Sequence, residues 1–159
     1  MSDALRRRTR DPAAALDVAA LRRAVTTLAR RDADLRRVVE AYGPPPLWAR
    51  RPGFATLLRI ILEQQVSLAS AASAYRRLQL ALGRVTPRRF MTLSDGALHQ
   101  VGFSRQKTAY GRALAEAVTS GRLDLRGLSA EPDDRVTAEL TRLPGIGGWT
   151  AGIYLQKGF

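Results

Sequence analysis

The stretch "LPGIGGWTA", residues 143–151, lies between two apolar stretches with helical spacing, "RVTAELTRL" and "GWTAGIYLQ". Pro144 ends the first helix, because its ring removes a backbone donor. Gly145 and Gly147 tolerate positive φ, so the link between the helices is predicted to be a very tight hairpin. Ile146, between the two glycines, is expected to tuck into the angle between the helices. This stretch therefore predicts a helix-hairpin-helix.

The hairpin also has the chemistry of a phosphate site. Backbone N–H groups without a Cβ beside them can approach an anion closely, and the N-terminus of a helix favours negative charge. We therefore expect Gly145, Gly147, Gly148 and Thr150 to bind phosphate without reading bases. A lone Gly-x-Gly would equally suit a structural corner in which the glycines serve only as caps. The complete string, from Leu143 onward, favours the phosphate-binding hairpin.

The rest of the chain has helical periodicity and no convincing strand, which predicts an all-α fold of many short helices. "FATLLRIIL", residues 54–62, is apolar on nearly all sides and is expected to be a buried central helix. Its neighbour "LASAASAYRRLQLAL" begins with small residues that allow close approach. Ser67, Thr86, Ser94 and Ser104 are predicted N-caps. Predicted helix ends are Gly43, Gly83, Gly102 and Gly121.

Composition limits the function classes. The 159 residues carry a formal net charge of +12, almost all from arginine, which attracts polyanions and nucleic acid above all. A GC-rich coding bias would raise arginine equally well, so charge alone is weak support. The absence of cysteine excludes disulfides and Cys-held metals within the chain, and the single histidine, His99, cannot build a His-rich metal site. No apolar run is long enough to span a bilayer, so no membrane partner is predicted.

Three further stretches resemble the same protein family as the hairpin does. They are "RPGF", "FATLLRIILEQQVSLASAA" and "VGFSRQKTAYGRALAEAV". Together they resemble the helix-hairpin-helix (HhH-GPD) DNA glycosylase superfamily, in its 3-methyladenine DNA glycosylase II branch. The resemblance implies an all-α, multi-helix glycosylase fold that binds damaged double-stranded DNA and flips the lesion base into a pocket. Residues 51–159 would be a partial glycosylase domain with its hairpin at 143–148. Residues 16–50 would form amino-terminal helices and a Pro-rich connector, and residues 1–15 a disordered basic arm.

The resemblance also implies roles for single residues. Gln65, with Gln64 beside it, stands where relatives place the side chain that wedges into the duplex, although amides that cap a helix or bridge the core would look the same. Trp149 occupies the place of the lysine that forms a Schiff base in strand-cutting relatives. An indole forms no imine, which excludes a lyase reaction by that route. Its flat face suits a positively charged alkylpurine, although core packing is the alternative role.

Two more expectations come from the family. The carbonyls of Thr141, Leu143 and Ile146 correspond to those that hold Na⁺ or K⁺ in some relatives, and no other cofactor is predicted. The family's catalytic Asp follows the second hairpin helix, and no acid lies between Gly147 and Phe159. We therefore assign no catalytic residue and expect a fold that is incomplete at the carboxyl end, with Leu57, Ile60 and Ile153 exposing apolar surface. Glu63 and the acids of the first hairpin helix are not expected to replace the missing Asp.

Three functions stay open from the sequence. The first is the amino-terminal part of a monofunctional alkylpurine DNA glycosylase that acts in base excision repair. The second is a non-catalytic helix-hairpin-helix module for double-stranded DNA, and the third is a basic helical RNA-binding protein. For the glycosylase we predict a monomeric, cytoplasmic protein that is associated with the nucleoid.

Overall fold

The computed structural model describes residues 17–158, so the arm predicted for residues 1–15 lies outside the described residues. Within this range all regular structure is helical, which confirms the all-α prediction. Nine α-helices follow one another in it: α1 (Val18–Arg31), α2 (Ala33–Tyr42), α3 (Phe54–Glu63), α4 (Leu68–Leu82), α5 (Pro87–Thr92), α6 (Asp95–Gln100), α7 (Arg105–Thr119), α8 (Asp133–Thr141) and α9 (Gly148–Gly158). A short 3-10 helix, Gly127–Ala130, precedes α8.

The helix boundaries follow the capping residues of the sequence. All four predicted N-caps accept a hydrogen bond from a backbone N–H three residues onward, as in Ser67 with Ser70. Pro132 precedes α8, whose first turn carries Asp133 and Asp134. The described residues divide into two compact units, 17–49 and 50–158. In the first unit α1 and α2 pack together, yet neither helix has a buried residue.

The core of the second unit is built around α3. Leu57, Leu58, Ile60 and Ile61 are fully buried, where α3 packs against α4, α7 and α9. Each such side chain contributes roughly 1.5–3 kcal/mol through the hydrophobic effect. The expectation that Leu57 and Ile60 would be exposed is therefore wrong, because the surrounding helices close over both. Ile153, on α9, is half-buried.

Small residues allow this close packing. Ala71 and Ala74 are the buried contacts at the start of α4, as the small residues of that helix predicted. Gly111 on α7 plays the same role. A Cβ at this position would lie 2.7 Å from the Phe90 ring and 3.0 Å from Leu58 Cδ1. The resulting position of α7 brings its amino-terminal turns beside the hairpin.

Candidate DNA-binding site

The hairpin between α8 and α9 turns within six residues. The Leu143 N–H donates to the Leu140 carbonyl at 3.1 Å, and the Ile146 N–H donates to the Leu143 carbonyl at 3.2 Å. Ile146 is 3% exposed, as predicted for a side chain in the angle of the hairpin. Gly145 has φ +81°, and a Cβ there would overlap the ring of Tyr110. Gly145 therefore meets two requirements that no other residue type meets together, a left-handed backbone and direct backbone contact with an aromatic ring.

Gly147 differs from this expectation. It does not have positive φ, so the prediction that both glycines permit the turn is wrong for Gly147. A Cβ on Gly147 or on Gly148 would meet nothing within 4 Å, and both residues are exposed. The turn needs only one left-handed residue, and Gly145 supplies it. Gly147 and Gly148 instead leave an open surface at the start of α9.

The N-terminus of α9 is available to a ligand. The first helical hydrogen bond runs from the Ala151 N–H to the Gly147 carbonyl at 3.0 Å. The N–H groups of Gly148, Trp149 and Thr150 thus precede this first donor and have no acceptor within the helix, as at any helix start. Thr150 is buried, at 4% exposure, and its Oγ1 accepts a hydrogen bond from Gln64 Nε2, so its hydroxyl is occupied within the protein.

A groove of about 320 Å³, which we call the hairpin groove, runs between the hairpin, the end of α3 and the start of α7. It brings together the predicted phosphate-binding residues and the predicted wedge residues, which are about 80 positions apart in sequence. Its lining comprises Gln64, Gln65, Gln106, Lys107, Tyr110, Gly145, Ile146, Gly147 and Thr150. None of these lining residues is acidic.

The two adjacent glutamines differ in their surroundings. Gln64 is half-buried, and its Nε2 donates to the Gly145 carbonyl at 2.9 Å and to Thr150 Oγ1 at 3.0 Å. Gln65 is exposed and has φ +56°, a conformation that costs a residue with a side chain about 1–2 kcal/mol. The wedge role predicted for the pair stays a prediction, and of the two it is Gln65 whose side chain faces solvent.

Lys107 and Tyr110 were not singled out from the sequence. The Lys107 Nζ donates to the Leu62 carbonyl at 2.7 Å, at the C-terminal end of α3 where a cation is favoured. Burial lowers the pKa of the Lys107 amine below its ordinary value of 10.5. Tyr110 packs against Gly145, and its hydroxyl accepts from Gln106 Nε2 at 2.7 Å. The only available sequence signal was the cation and aromatic in "RQKTAYG", one helical turn apart.

The two tryptophans are both on the surface. Trp149 is 67% exposed in the first turn of α9, so its indole does not fill the core. Its face is therefore open to a stacking partner, and the base-pocket role stays a prediction. Trp48, in the other unit, is 72% exposed.

Glu63, at the end of α3, is enclosed by cations. Its carboxylate, 8% exposed, lies 2.8 Å from Arg50 Nη2, 3.4 Å from Arg59 Nε and 3.3 Å from Lys157 Nζ. Burial acts to raise the pKa of Glu63, but the hydrogen bond and charge of Arg50, together with Lys157, outweigh it and lower the pKa below its ordinary 4.5. Glu63 therefore stays charged and joins α3 to α9 through its ion pair with Lys157.

The predicted monovalent cation would lie on backbone oxygens of the hairpin. The Leu143 carbonyl already accepts one hydrogen bond, whereas those of Thr141 and Ile146 accept no backbone hydrogen bond in the part of the chain that the structure describes. Carbonyl oxygens are hard ligands that suit Na⁺ or K⁺. Two of the three oxygens are thus free of backbone hydrogen bonds, and the monovalent cation stays a prediction.

Comparison with known proteins identifies relatives of this fold. Residues 58–153 match the model of the HhH-GPD superfamily, base excision DNA repair proteins. No curated protein is significantly similar to the chain in sequence. None of the helices formed by residues 17–158 combines the length and hydrophobicity needed to cross a membrane.

Solved structures of DNA glycosylases share the fold. The DNA-3-methyladenine glycosidase of Bacillus halodurans is 34% identical over 84% of this chain and 63% of its own, with a TM-score of 0.67. A Schizosaccharomyces pombe 3-methyladenine DNA glycosylase bound to abasic DNA is 24% identical over 84% and 68%, with a TM-score of 0.75. An 8-oxoguanine glycosylase/lyase of Clostridium acetobutylicum bound to double-stranded DNA is 14% identical over 85% and 50%, with a TM-score of 0.73. The chain thus spans 63% of the length of the Bacillus halodurans relative.

Proposed function

Because this chain belongs to the HhH-GPD superfamily of base excision DNA repair proteins, we propose that it recognises damaged double-stranded DNA as an alkylpurine DNA glycosylase of the 3-methyladenine type. Two of the similar solved structures are 3-methyladenine glycosylases, one of them bound to abasic DNA. The single observation that carries the proposal is the hairpin groove, where an open helix N-terminus and an exposed, strained Gln65 lie together.

In this proposal the hairpin binds the sugar-phosphate backbone. The first N–H groups of α9 and the open surface at Gly147 and Gly148 receive a phosphate, and the helix dipole favours its charge. A Na⁺ or K⁺ on the carbonyls of Thr141, Leu143 and Ile146 would add positive charge beside that phosphate. These contacts hold the duplex in register and are independent of base sequence.

Gln65 and Trp149 act on the lesion. Flipping a nucleotide leaves a gap in the base stack, and Gln65 fills it from its exposed position at the groove. Trp149 stacks on the flipped base, and a positively charged alkylpurine gains about 0.5–2 kcal/mol of cation–π attraction there. Since Trp149 cannot form an imine, the enzyme is monofunctional: it hydrolyses the glycosidic bond without cutting the strand by that route.

The binding test uses two positions where a methyl group fits the fold. In Gly147→Ala/Gly148→Ala the new methyl groups enter the space assigned to phosphate. We expect affinity for a duplex with an abasic analogue to fall roughly tenfold, the scale of one charge-assisted hydrogen bond. The slope of log affinity against log salt should decrease by about 0.9 for each phosphate that the variant no longer binds.

Gly152→Ala is the matched control, because Gly152 also lies in α9 and a Cβ there would meet nothing within 4 Å. It should bind as the unaltered protein does. Duplex affinity that is unchanged in the Gly147→Ala/Gly148→Ala variant would overturn the proposal. Equal or tighter binding of single-stranded RNA than of duplex DNA would contradict it in favour of an RNA-binding protein.

A second candidate function is a non-catalytic module for double-stranded DNA. The observation in its favour is that none of the described residues lining the hairpin groove carries a carboxylate, whereas hydrolysis of the glycosidic bond needs one to stabilise the developing positive charge on the sugar. Preference for a lesion distinguishes the two candidates. Tighter binding of a duplex that carries a stable 7-methylguanine analogue than of unmodified duplex would support the glycosylase, and equal affinity for both would support the module.

A further inference from the structure

The adjacent residues Gln64 and Gln65 lie at the same groove but differ in their partners. We infer that Gln64 is a positioning residue: it couples the Gln65 wedge to the phosphate-binding hairpin and does not itself enter DNA. The inference rests on the proposed function, in which Gln65 and the hairpin are the DNA contacts. It adds that the two contacts act together because Gln64 joins them.

The hydrogen bonds of Gln64 carry the inference. Its Nε2 reaches the Gly145 carbonyl at the left-handed residue of the hairpin and Oγ1 of Thr150 in the first turn of α9. A side-chain amide has two donors, and each has one acceptor here. One side chain thus holds both halves of the hairpin, the turn and the helix start, at a fixed distance from the neighbouring Gln65 backbone.

Helix α7 supports the same arrangement from the other side. Lys107 binds the Leu62 carbonyl, which fixes the end of α3 two residues before Gln64. Tyr110, one turn further on, packs against Gly145 and fixes the hairpin. The end of α3 and the hairpin are therefore both attached to one face of α7, and Gln64 connects them directly through its hydrogen bonds.

The strained backbone of Gln65 depends on the contacts that hold the end of α3 to the hairpin. A residue at φ +56° persists only where its surroundings hold it. With Gln64 bound to the hairpin, a phosphate bound at the start of α9 sets the position from which Gln65 enters the duplex. Without those hydrogen bonds, the wedge and the phosphate site would still be present but would act independently.

The experiment measures coupling between the two DNA contacts. Affinities for a duplex with an abasic analogue are measured for Gln65→Ala, Gly147→Ala and the double variant. The set is then repeated with Gln64→Met, which keeps the length of the side chain and removes its donors. In the presence of Gln64, we expect the loss of affinity in the double variant to differ by about fivefold or more from the product of the losses in the two single variants. With Gln64→Met the effects should multiply to within about twofold.

A base analogue whose fluorescence depends on stacking, placed opposite the abasic site, reports insertion of the wedge directly. Gly147→Ala should reduce the insertion signal at saturating protein when Gln64 is present and leave it unchanged with Gln64→Met. A purely structural Gln64 would lower the melting temperature of the protein without altering this dependence. Thr150→Val provides a second route if Gln64→Met does not fold, since it removes one acceptor and should weaken the coupling.

The outcomes separate the two claims. Independent effects in the presence of Gln64, or coupling that survives both Gln64→Met and Thr150→Val, would overturn the positioning role. Failure of Gly147→Ala to weaken duplex binding would instead overturn the proposed function. Coupling that disappears when Gln64 is deprived of its donors or Thr150 of its hydroxyl would establish the inference.

Discussion

Two hairpin glycines that look equivalent in the sequence should respond to alanine in opposite ways. Gly145→Ala places a methyl group inside the contact distance of the Tyr110 ring and forces alanine to φ +81°. The left-handed backbone costs about 1–2 kcal/mol, and overpacking a filled contact costs about 1–3 kcal/mol. Together they should lower the free energy of unfolding by roughly 2–5 kcal/mol. For a chain of this size each kcal/mol lowers the melting temperature by about 2–4 °C.

Gly147→Ala is the matched comparison, because it adds the same methyl group two residues away in open space. Its stability should change by less than about 1 kcal/mol, the cost of alanine at a helix N-cap. The effect of Gly147→Ala should appear in DNA affinity and not in stability. Gly147→Ala should bind duplex DNA about tenfold more weakly while remaining fully folded, since the methyl group blocks a phosphate contact.

The assay is thermal unfolding followed by circular dichroism, combined with titration of a labelled abasic duplex at a temperature where each variant is folded. Tyr110→Ala should cost less stability in the Gly145→Ala protein than in the unaltered one, because only in the former does it also remove the clash. A Gly145→Ala protein with the same melting temperature as the unaltered protein would refute the hairpin geometry. So would a Gly147→Ala protein that melts many degrees lower.

Three further predictions concern other parts of the site. Trp149→Leu should reduce the preference for a duplex carrying a stable 7-methylguanine analogue over one carrying guanine by about 0.5–2 kcal/mol, or about 2- to 30-fold, measured by competition binding; an unchanged preference would exclude Trp149 as the stacking residue. Glu63→Gln should lower the free energy of unfolding by about 2–3 kcal/mol at neutral pH, because it leaves half-buried cations unpaired. Because the pKa of Glu63 is lower in the folded state, its contribution to the free energy of unfolding is present above pH 4.5 and disappears as the pH falls through the folded-state pKa. The difference in melting temperature between Glu63→Gln and the unaltered protein should therefore shrink below pH 4.5. A difference that stays constant would contradict this prediction. The purified 159-residue chain should bind methylated duplex DNA without releasing 3-methyladenine, since none of the described residues lining the hairpin groove is acidic; chromatographic detection of released base would show that an acid elsewhere in the chain performs the reaction.

Much of the fold could be predicted because its signals are local. Ser67 caps α4 and Thr86 caps α5 through bonds to their own chain only three residues onward. The apolar helix α3 was expected to be buried, and it is. The exposure expected for Leu57 and Ile60 was wrong because burial of a central helix depends on which helices close over it. That outcome is decided in part by α7 and α9, which lie more than about 40 residues away.

The candidate site divides in the same way. The hairpin, and the helix N-terminus proposed to bind phosphate, could be predicted from "LPGIGGWTA", since turn, cap and helix N-terminus are properties of consecutive residues. The roles of Lys107 and Tyr110 could not. A lysine that binds the end of another helix and a tyrosine that supports a glycine are recognised only when their distant partners, Leu62 and Gly145, are in contact.

The sequence by itself determined which segments form helices and that the hairpin of this HhH-GPD superfamily member presents bare amide groups at the start of α9. Only the tertiary structure decided which of two adjacent glutamines binds the hairpin, which of two hairpin glycines is packed, and where the Glu63 carboxylate is neutralised. The physical reason is distance along the chain. Dihedral preferences and caps act over a few residues, whereas hydrogen-bond partners and steric limits are set by helices that meet only after the core has packed.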